Sequence, residues 1–147
     1  MRKCKISIVI SEFNKKISDN LLKGALDAYD NIIGGNENIT IYKVPGAFEI
    51  PGTIIKILEQ KTNKYDAILT LGSVIKGKTA HFEHISSSVT NTLSLISLSA
   101  KIPVIYGILT TYNLQQALKR SDPKRLNKGA ELMKATIKTI ETYNNIL

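Results

Sequence analysis

The chain reads as an α/β protein, a single three-layer αβα sandwich around a four-stranded, mainly parallel sheet. Three observations predict it. Four apolar, β-branched runs recur along the 147 residues. Segments of helical period separate them, and each run is near-continuously apolar, as strands covered on both faces are. Strands alternating with helices imply right-handed crossovers and a parallel sheet. The length suits one domain, residues 1–147, with its own core.

The first strand is "KISIVIS", Lys5 to Ser11, followed by a helical stripe at Ile17, Leu21, Ala25 and Ala28. "GGNEN", Gly34 to Asn38, reads as a surface turn. The second strand is "ITIYKV", Ile39 to Val44, and Ile54, Ile55 and Leu58 mark the next helix. The third strand is "AILTLG", Ala67 to Gly72, with Ser73, Val74 and Ile75 as its fraying end, and Ile85, Val89, Leu93 and Ile96 stripe the helix after it. The fourth is "PVIYGIL", Pro103 to Leu109. Leu114, Ala117 and Leu118 then begin a short helix that Pro123 interrupts, and Leu132, Ala135, Ile137 and Ile140 carry the last one. Ligands of such sheets bind beyond the carboxyl ends of the strands. That rule gathers "SEFN", "VPGAFEIP", "GSVIKGKTAHFEH" and "TTYN" at one edge.

A hydrophobic fraction of 43% and a charged fraction of 22% belong to a globular protein rather than a disordered one. The single cysteine, Cys4, allows no disulfide framework and no multi-cysteine zinc site. The chain opens Met1-Arg2-Lys3 and runs straight into strand pattern without a signal-peptide core, and it has no run of about 18 apolar residues. A cytoplasmic, reducing compartment and no membrane partner are expected. The net charge of +8 suits nucleic acid and small anionic substrates equally, and a general tilt toward lysine produces it too. The basic residues cluster only at Lys119-Arg120 and Lys124-Arg125, so charge alone does not decide the partner.

"LGSVIKGKT", Leu71 to Thr79, matches the phosphate-loop pattern G-x-x-x-x-G-K-S/T. The loop of that motif curls its N–H groups round phosphates, which favours small residues, whereas Val74 and Ile75 are bulky and β-branched. No other strand run ends in the aspartate that would hold the metal ion. The nucleotide-hydrolase reading is therefore set aside. The Gly77-Lys78-Thr79 turn still precedes a helix, and free N–H groups at a helix start suit a small anion such as a phosphate ester.

Both histidines fall in "HFEH", at His81 and His84. They are compatible with plain exposure on a first helical turn, or with a metal through Glu83, which lacks a third ligand at a recognisable spacing. The acid/base reading favours His81, since it is nearer the turn and a helix start suits proton exchange by an imidazole.

Together "SEFN", "VPGAFEIP", "LGSVIKGKTAHFEHI", "IPVIYGILTT" and "NKGAE" resemble the lumazine synthase family in order and approximate spacing, from about residue 5 to the C-terminus. The resemblance implies a flavodoxin-like fold. It implies a transferase that joins 5-amino-6-(D-ribitylamino)uracil to 3,4-dihydroxy-2-butanone 4-phosphate in riboflavin biosynthesis. Imine formation, phosphate elimination and ring closure follow, without metal or organic cofactor. It further implies that Phe13 stacks on the pyrimidine beside Asn14. Ala47, Phe48 and Glu49 would meet the ribityl chain, and backbone groups around Ser73, Val74 and Ile75 would read the ring edge. Lys78 and Thr79 would offer N–H groups to the phosphate opposite Arg120, with Lys128 as a further basic residue near the site and His81 moving protons.

The resemblance also implies a homopentamer with sites between subunits, Tyr106 coming from one and Phe13 and His81 from the other. It leaves room for a sixty-subunit shell and for riboflavin synthase as a partner. Two departures favour the free pentamer. The chain starts at the first strand without an N-terminal extension, and "DPKRLNKG" replaces the glycine-rich turn, typically G-T-K-A-G-N-K-G, associated with shells. Two other classes stay open at this stage. One is a basic module for RNA or another polyanion, which leaves "VPGAFEIP" and His81 without a role. The other is a riboflavin-binding or scaffold relative without catalysis.

Overall fold

The computed structural model describes residues 3–146, so Met1, Arg2 and Leu147, which the 1–147 boundary takes in, lie outside the described residues. Strand β1 (Ile6–Ser11) is buried along its whole length. Strand β2 (Ile39–Val44) pairs with it on one side and β3 (Ala67–Ile75) on the other, both parallel. Strand β4 (Val104–Ile105) continues the order β2-β1-β3-β4, and β5 (Ile108–Thr111) also pairs parallel with β3.

The sheet thus has five strands rather than four, because the single run read at Pro103 to Leu109 is broken at Tyr106-Gly107. Register survives the break: Leu69 faces Ile105 and Gly72 faces Ile108. Between them the Thr70 hydroxyl donates to the Ile105 carbonyl at 2.8 Å and accepts the Gly107 amide at 3.0 Å. A side chain there takes the place of the backbone ladder. A Cβ on Gly107 would collide with the Thr70 carbonyl oxygen, which is why the gap holds glycine.

Alternation along the strands sends Ile6, Ile8, Ile10, Ala67, Leu69 and Leu71 to one face and Val9, Ile68 and Val74 to the other. The first face is covered by α1 (Lys15–Ile33) and α5 (Lys128–Ile146), with α4 (Leu114–Ser121) beside them. The second is covered by α2 (Ile50–Glu59) and α3 (His81–Ser99). Each Ile or Leu buried this way contributes about 1.5–3 kcal/mol over leaving it in water.

The α1 stripe Ile17, Leu21, Ala25 and Ala28 is buried throughout, and so are Val89, Leu93 and Ile96 of α3, with Ile85 half-buried. Three helical stripes differ from the sequence reading. Helix α2 buries Ile50, Ile54 and Ile57, while Ile55 is 40% exposed and Leu58 half-buried. A 3₁₀ turn at Ala47–Glu49 runs directly into α2, so the helix starts at Ile50 with Pro51 in its first turn, and Ile50 sets the phase. In α5 the inward set is Leu132, Met133, Thr136, Ile137 and Ile140, which follows the helical period and turns Ala135 to solvent. In α4 Ala117 is buried, Leu118 half-buried and Leu114 exposed. Strand β2, at the sheet edge, buries only Val44.

From β1 the chain crosses one way to β2 and then back past β1 to β3. The crossovers diverge at the carboxyl ends of β1 and β3 and leave a crevice there, the switch point of a flavodoxin-like sheet. No helix among the described residues is long and apolar enough to cross a membrane.

Candidate active site

The crevice is built by three loops tied to one another. Beyond β1, the Glu12 amide donates to the Val44 carbonyl at 2.8 Å and the Phe13 amide to the Pro45 carbonyl at 3.1 Å, so the segments after β1 and β2 run side by side. Asn14 takes the left-handed conformation (φ 59°), which Asn tolerates better than most residues. Its carbonyl accepts the Ile17 and Ser18 amides and begins α1, and the turn leaves the Phe13 ring 60% exposed. After β2 the Gly46 amide donates to Glu49 Oε1 at 2.9 Å and the Glu49 amide to the Gly46 carbonyl at 3.2 Å. That reciprocal pair pins the 3₁₀ turn, presents Phe48 60% exposed, and leaves the Glu49 carboxylate capacity for further hydrogen bonds.

Strand β1 pairs with β3 only as far as Leu71, yet β3 continues to Ile75. The Gly72 and Lys76 amides donate toward the β5 side, to the Gly107 and Thr111 carbonyls at 3.3 and 2.9 Å. Strand alternation therefore turns the Ser73 and Ile75 backbone groups to the opposite edge, beyond the end of β1. The turn that follows delivers α3, where the His81 amide donates to the Thr79 hydroxyl at 3.3 Å and the His84 amide to the Ala80 carbonyl at 3.2 Å.

These segments enclose one cavity of about 440 Å³. Phe13, Ala47, Phe48, Glu49, Ser73, Val74, Ile75, Thr79 and His81 of the sequence-read site all line it. Asn14, Lys78, Tyr106, Arg120 and Lys128 do not. Tyr106 sits in the gap between β4 and β5, 39% exposed, its hydroxyl 2.9 Å from that of Thr90 on α3. Arg120, in the last turn of α4, donates to the Gln116 carbonyl at 3.3 Å. Lys128, first in α5, pairs with Glu131 at 3.0 Å, and Lys78 is exposed on the turn.

Gly77, from the turn that the sequence marks as suited to an anion, lines the cavity too, and so do Gly46, Phe82 and Ile85, which the sequence does not single out as site residues. The signal for two of them was present: Phe82, Ile85 and Val89 lie at i, i+3 and i+7, which sets them on one face of α3. A larger cavity of about 630 Å³ between α2 and α3 shares Phe48 and Glu49 with this one but holds neither histidine nor the anion-suited turn. The chemistry therefore points to the smaller cavity. Among the described residues no group of three His, Cys, Asp or Glu side chains lies close enough to hold a metal ion.

An aromatic ring, a carboxylate, strand-edge amides, a helix-start turn and an imidazole thus converge on one concave space of small-molecule size. The family model described as 6,7-dimethyl-8-ribityllumazine synthase matches residues 3–144. Enzymes of that name from Yersinia pestis (strain Pestoides F) and Yersinia pseudotuberculosis serotype O:1b (strain IP 31758) are each 42% identical over 143 residues, 97% of this chain and 88% of theirs. The chain belongs to the 6,7-dimethyl-8-ribityllumazine synthase family.

Proposed function

We propose that this cavity is the pyrimidine-binding half of the active site, and that Tyr106, Arg120 and Lys128 complete it from the adjacent subunit of a homopentamer. The reaction is the family's: ribitylaminouracil and butanone phosphate condense to the lumazine, with loss of phosphate and water. The observation that carries the site assignment is the convergence of three segments far apart in sequence, bearing Phe13, Phe48 with Glu49, and Thr79 with His81, on one cavity.

Phe13 stacks on the pyrimidine, with Asn14 shaping the turn that presents it. Ala47, Phe48 and Glu49 receive the ribityl chain, and the carboxylate accepts from its hydroxyls. Ser73, Val74 and Ile75 offer backbone groups to the ring edge. Lys78 and Thr79 turn their amides to the phosphate of the second substrate, and Arg120 neutralises it with a planar fork. His81, at the head of α3, moves protons during imine formation and elimination. Most of the rate comes from holding two reactants face to face.

The lack of Tyr106, Arg120 and Lys128 in the cavity of a single chain supports the shared site. Hydrophobic clusters on both faces of one sheet support a single domain over the whole chain, and a lone buried cysteine suits a cytoplasmic setting. Riboflavin synthase, acting at the next step, is the protein partner this reading allows. Mixing the purified protein with both substrates should give lumazine absorbance. Binding of the ribitylated pyrimidine without turnover would instead mark a relative that has lost catalysis.

A further inference from the structure

The turn from Lys76 to Ala80, proposed above to meet the substrate phosphate, is exposed from Lys76 through His81. Backbone bonds hold its ends: the Lys76 amide meets the Thr111 carbonyl at 2.9 Å, and the His84 amide meets the Ala80 carbonyl at 3.2 Å. One side chain reaches both flanks. The Tyr112 ring has Lys76 Nζ 5.8 Å from its centroid, and its centroid lies 6.4 Å from that of Phe82 at a 45° tilt, both within range of favourable aromatic contact. Lys76 enters the turn, while Phe82 follows it and lines the cavity.

We propose that Tyr112 is a positioning residue for the phosphate substrate: its ring clasps the two sides of the turn and keeps the Lys76 ammonium beside it. The inference rests on the phosphate assignment of that turn. Tyr112 is itself held in place. Its amide donates to Gln116 Oε1 at 2.9 Å, the Thr111 hydroxyl donates to the Asn113 carbonyl at 3.0 Å, and the Gln116 amide donates to Asn113 Oδ1 at 2.8 Å. With 71% of its surface exposed, Tyr112 is not a core residue, so removing the ring leaves no internal cavity. Both contacts are made by the aromatic ring.

Steady-state kinetics with each substrate varied, together with calorimetric binding of inorganic phosphate, tests the clasp. Tyr112→Ala should raise the KM for the phosphate substrate and the Kd for inorganic phosphate about three- to tenfold, with the pyrimidine KM within about twofold of wild type. Tyr112→Phe and Lys76→Arg should behave as wild type. Lys76→Met should move the phosphate parameters as Tyr112→Ala does, and the double variant should add little. Phosphate parameters unchanged in Tyr112→Ala, or both substrates weakened alike, would overturn the clasp. Were Tyr112→Ala to lose its fold, Lys76→Met decides the matter by the same comparison. A wild-type chain that forms no lumazine would refute the functional reading, whereas lumazine formation indifferent to Tyr112 refutes the clasp alone.

Discussion

Tyr29 is fully buried on α1, and its hydroxyl donates to the Cys4 carbonyl at 2.5 Å, just ahead of β1. Burial above all, then the neighbouring Cys4, pushes its pKa up to about 12. In the unfolded chain the phenol ionises near 10, so above that pH the unfolded state sheds a proton that the folded state keeps. Stability from this group is therefore complete below pH 10 and is lost as pH rises from 10 to 12, by on the order of 2 to 3 kcal/mol. Urea unfolding at pH 9, 10.5 and 11.5 should show the decline, and Tyr29→Phe should flatten it. The difference between the two proteins is the quantity to follow; parallel declines would contradict the assignment. At the site, Arg120→Ala should raise the KM for the phosphate substrate about tenfold or more, the scale of a lost charge-assisted hydrogen bond. His81→Ala should lower kcat by about ten- to a hundredfold, since positioning survives it. An unchanged phosphate KM in the first variant, or an unchanged kcat in the second, removes the corresponding role.

Among the elements, the seam between α1 and α5 allows a comparison of two glycines. A Cβ on Gly129 would collide with the Leu21 carbonyl, a backbone atom that cannot swing away, whereas a Cβ on Gly52 of α2 meets nothing within 4 Å. Gly129→Ala should therefore cost about 1–3 kcal/mol through forced separation of the helices, lowering Tm by several degrees. Gly52→Ala should stabilise by about 0.4–1 kcal/mol, by favouring helix and restricting the unfolded chain. Thermal melts that move in the same direction would show that packing at the seam does not control α5. The elements were largely legible in the sequence because buried parallel strands announce themselves as β-branched runs. The phase of α2 was not, since the 3₁₀ turn ahead of it has no periodicity of its own and shifts the inward face from Ile55 to Ile57. Nor was the break between β4 and β5, which depends on a Thr70 hydroxyl from the neighbouring strand. Three of the four loops that the sequence places at one edge share the crevice, because parallel strands carry their ends to the same side, whereas no residue of "TTYN" lines it. Ile85 belongs to the stripe that the sequence assigns to the core, and Phe82 lies on the same face three residues earlier; that face packs on the core and also walls the cavity.

At the scale of the whole molecule, the division of site residues between the cavity and other surfaces of one chain bears on assembly. Phe13 lines the cavity; Arg120 lies at the end of α4 and does not. If adjacent subunits share each site, a variant lacking Phe13 and a variant lacking Arg120 fail separately but complement each other within one ring. Phe13→Asp is a suitable first partner because Phe13 is 60% exposed and its replacement should leave folding intact. In rings assembled from equal amounts of the two variants, a given site draws an intact Phe13 from one subunit and an intact Arg120 from the next about a quarter of the time. With the phosphate substrate well below its KM, activity near a quarter of wild type is then expected, against about a tenth or less in either parent. Five copies of the 16.2 kDa chain give a particle of about 81 kDa by light scattering or sedimentation. That size follows from the proposed homopentamer; the turn from Asp122 to Lys128 has a form of its own, in which Asp122 accepts the Lys124, Arg125 and Asn127 amides. A particle near a megadalton would reverse the preference for the free ring, and mixed rings no more active than their parents would return Arg120 to the chain that carries Phe13.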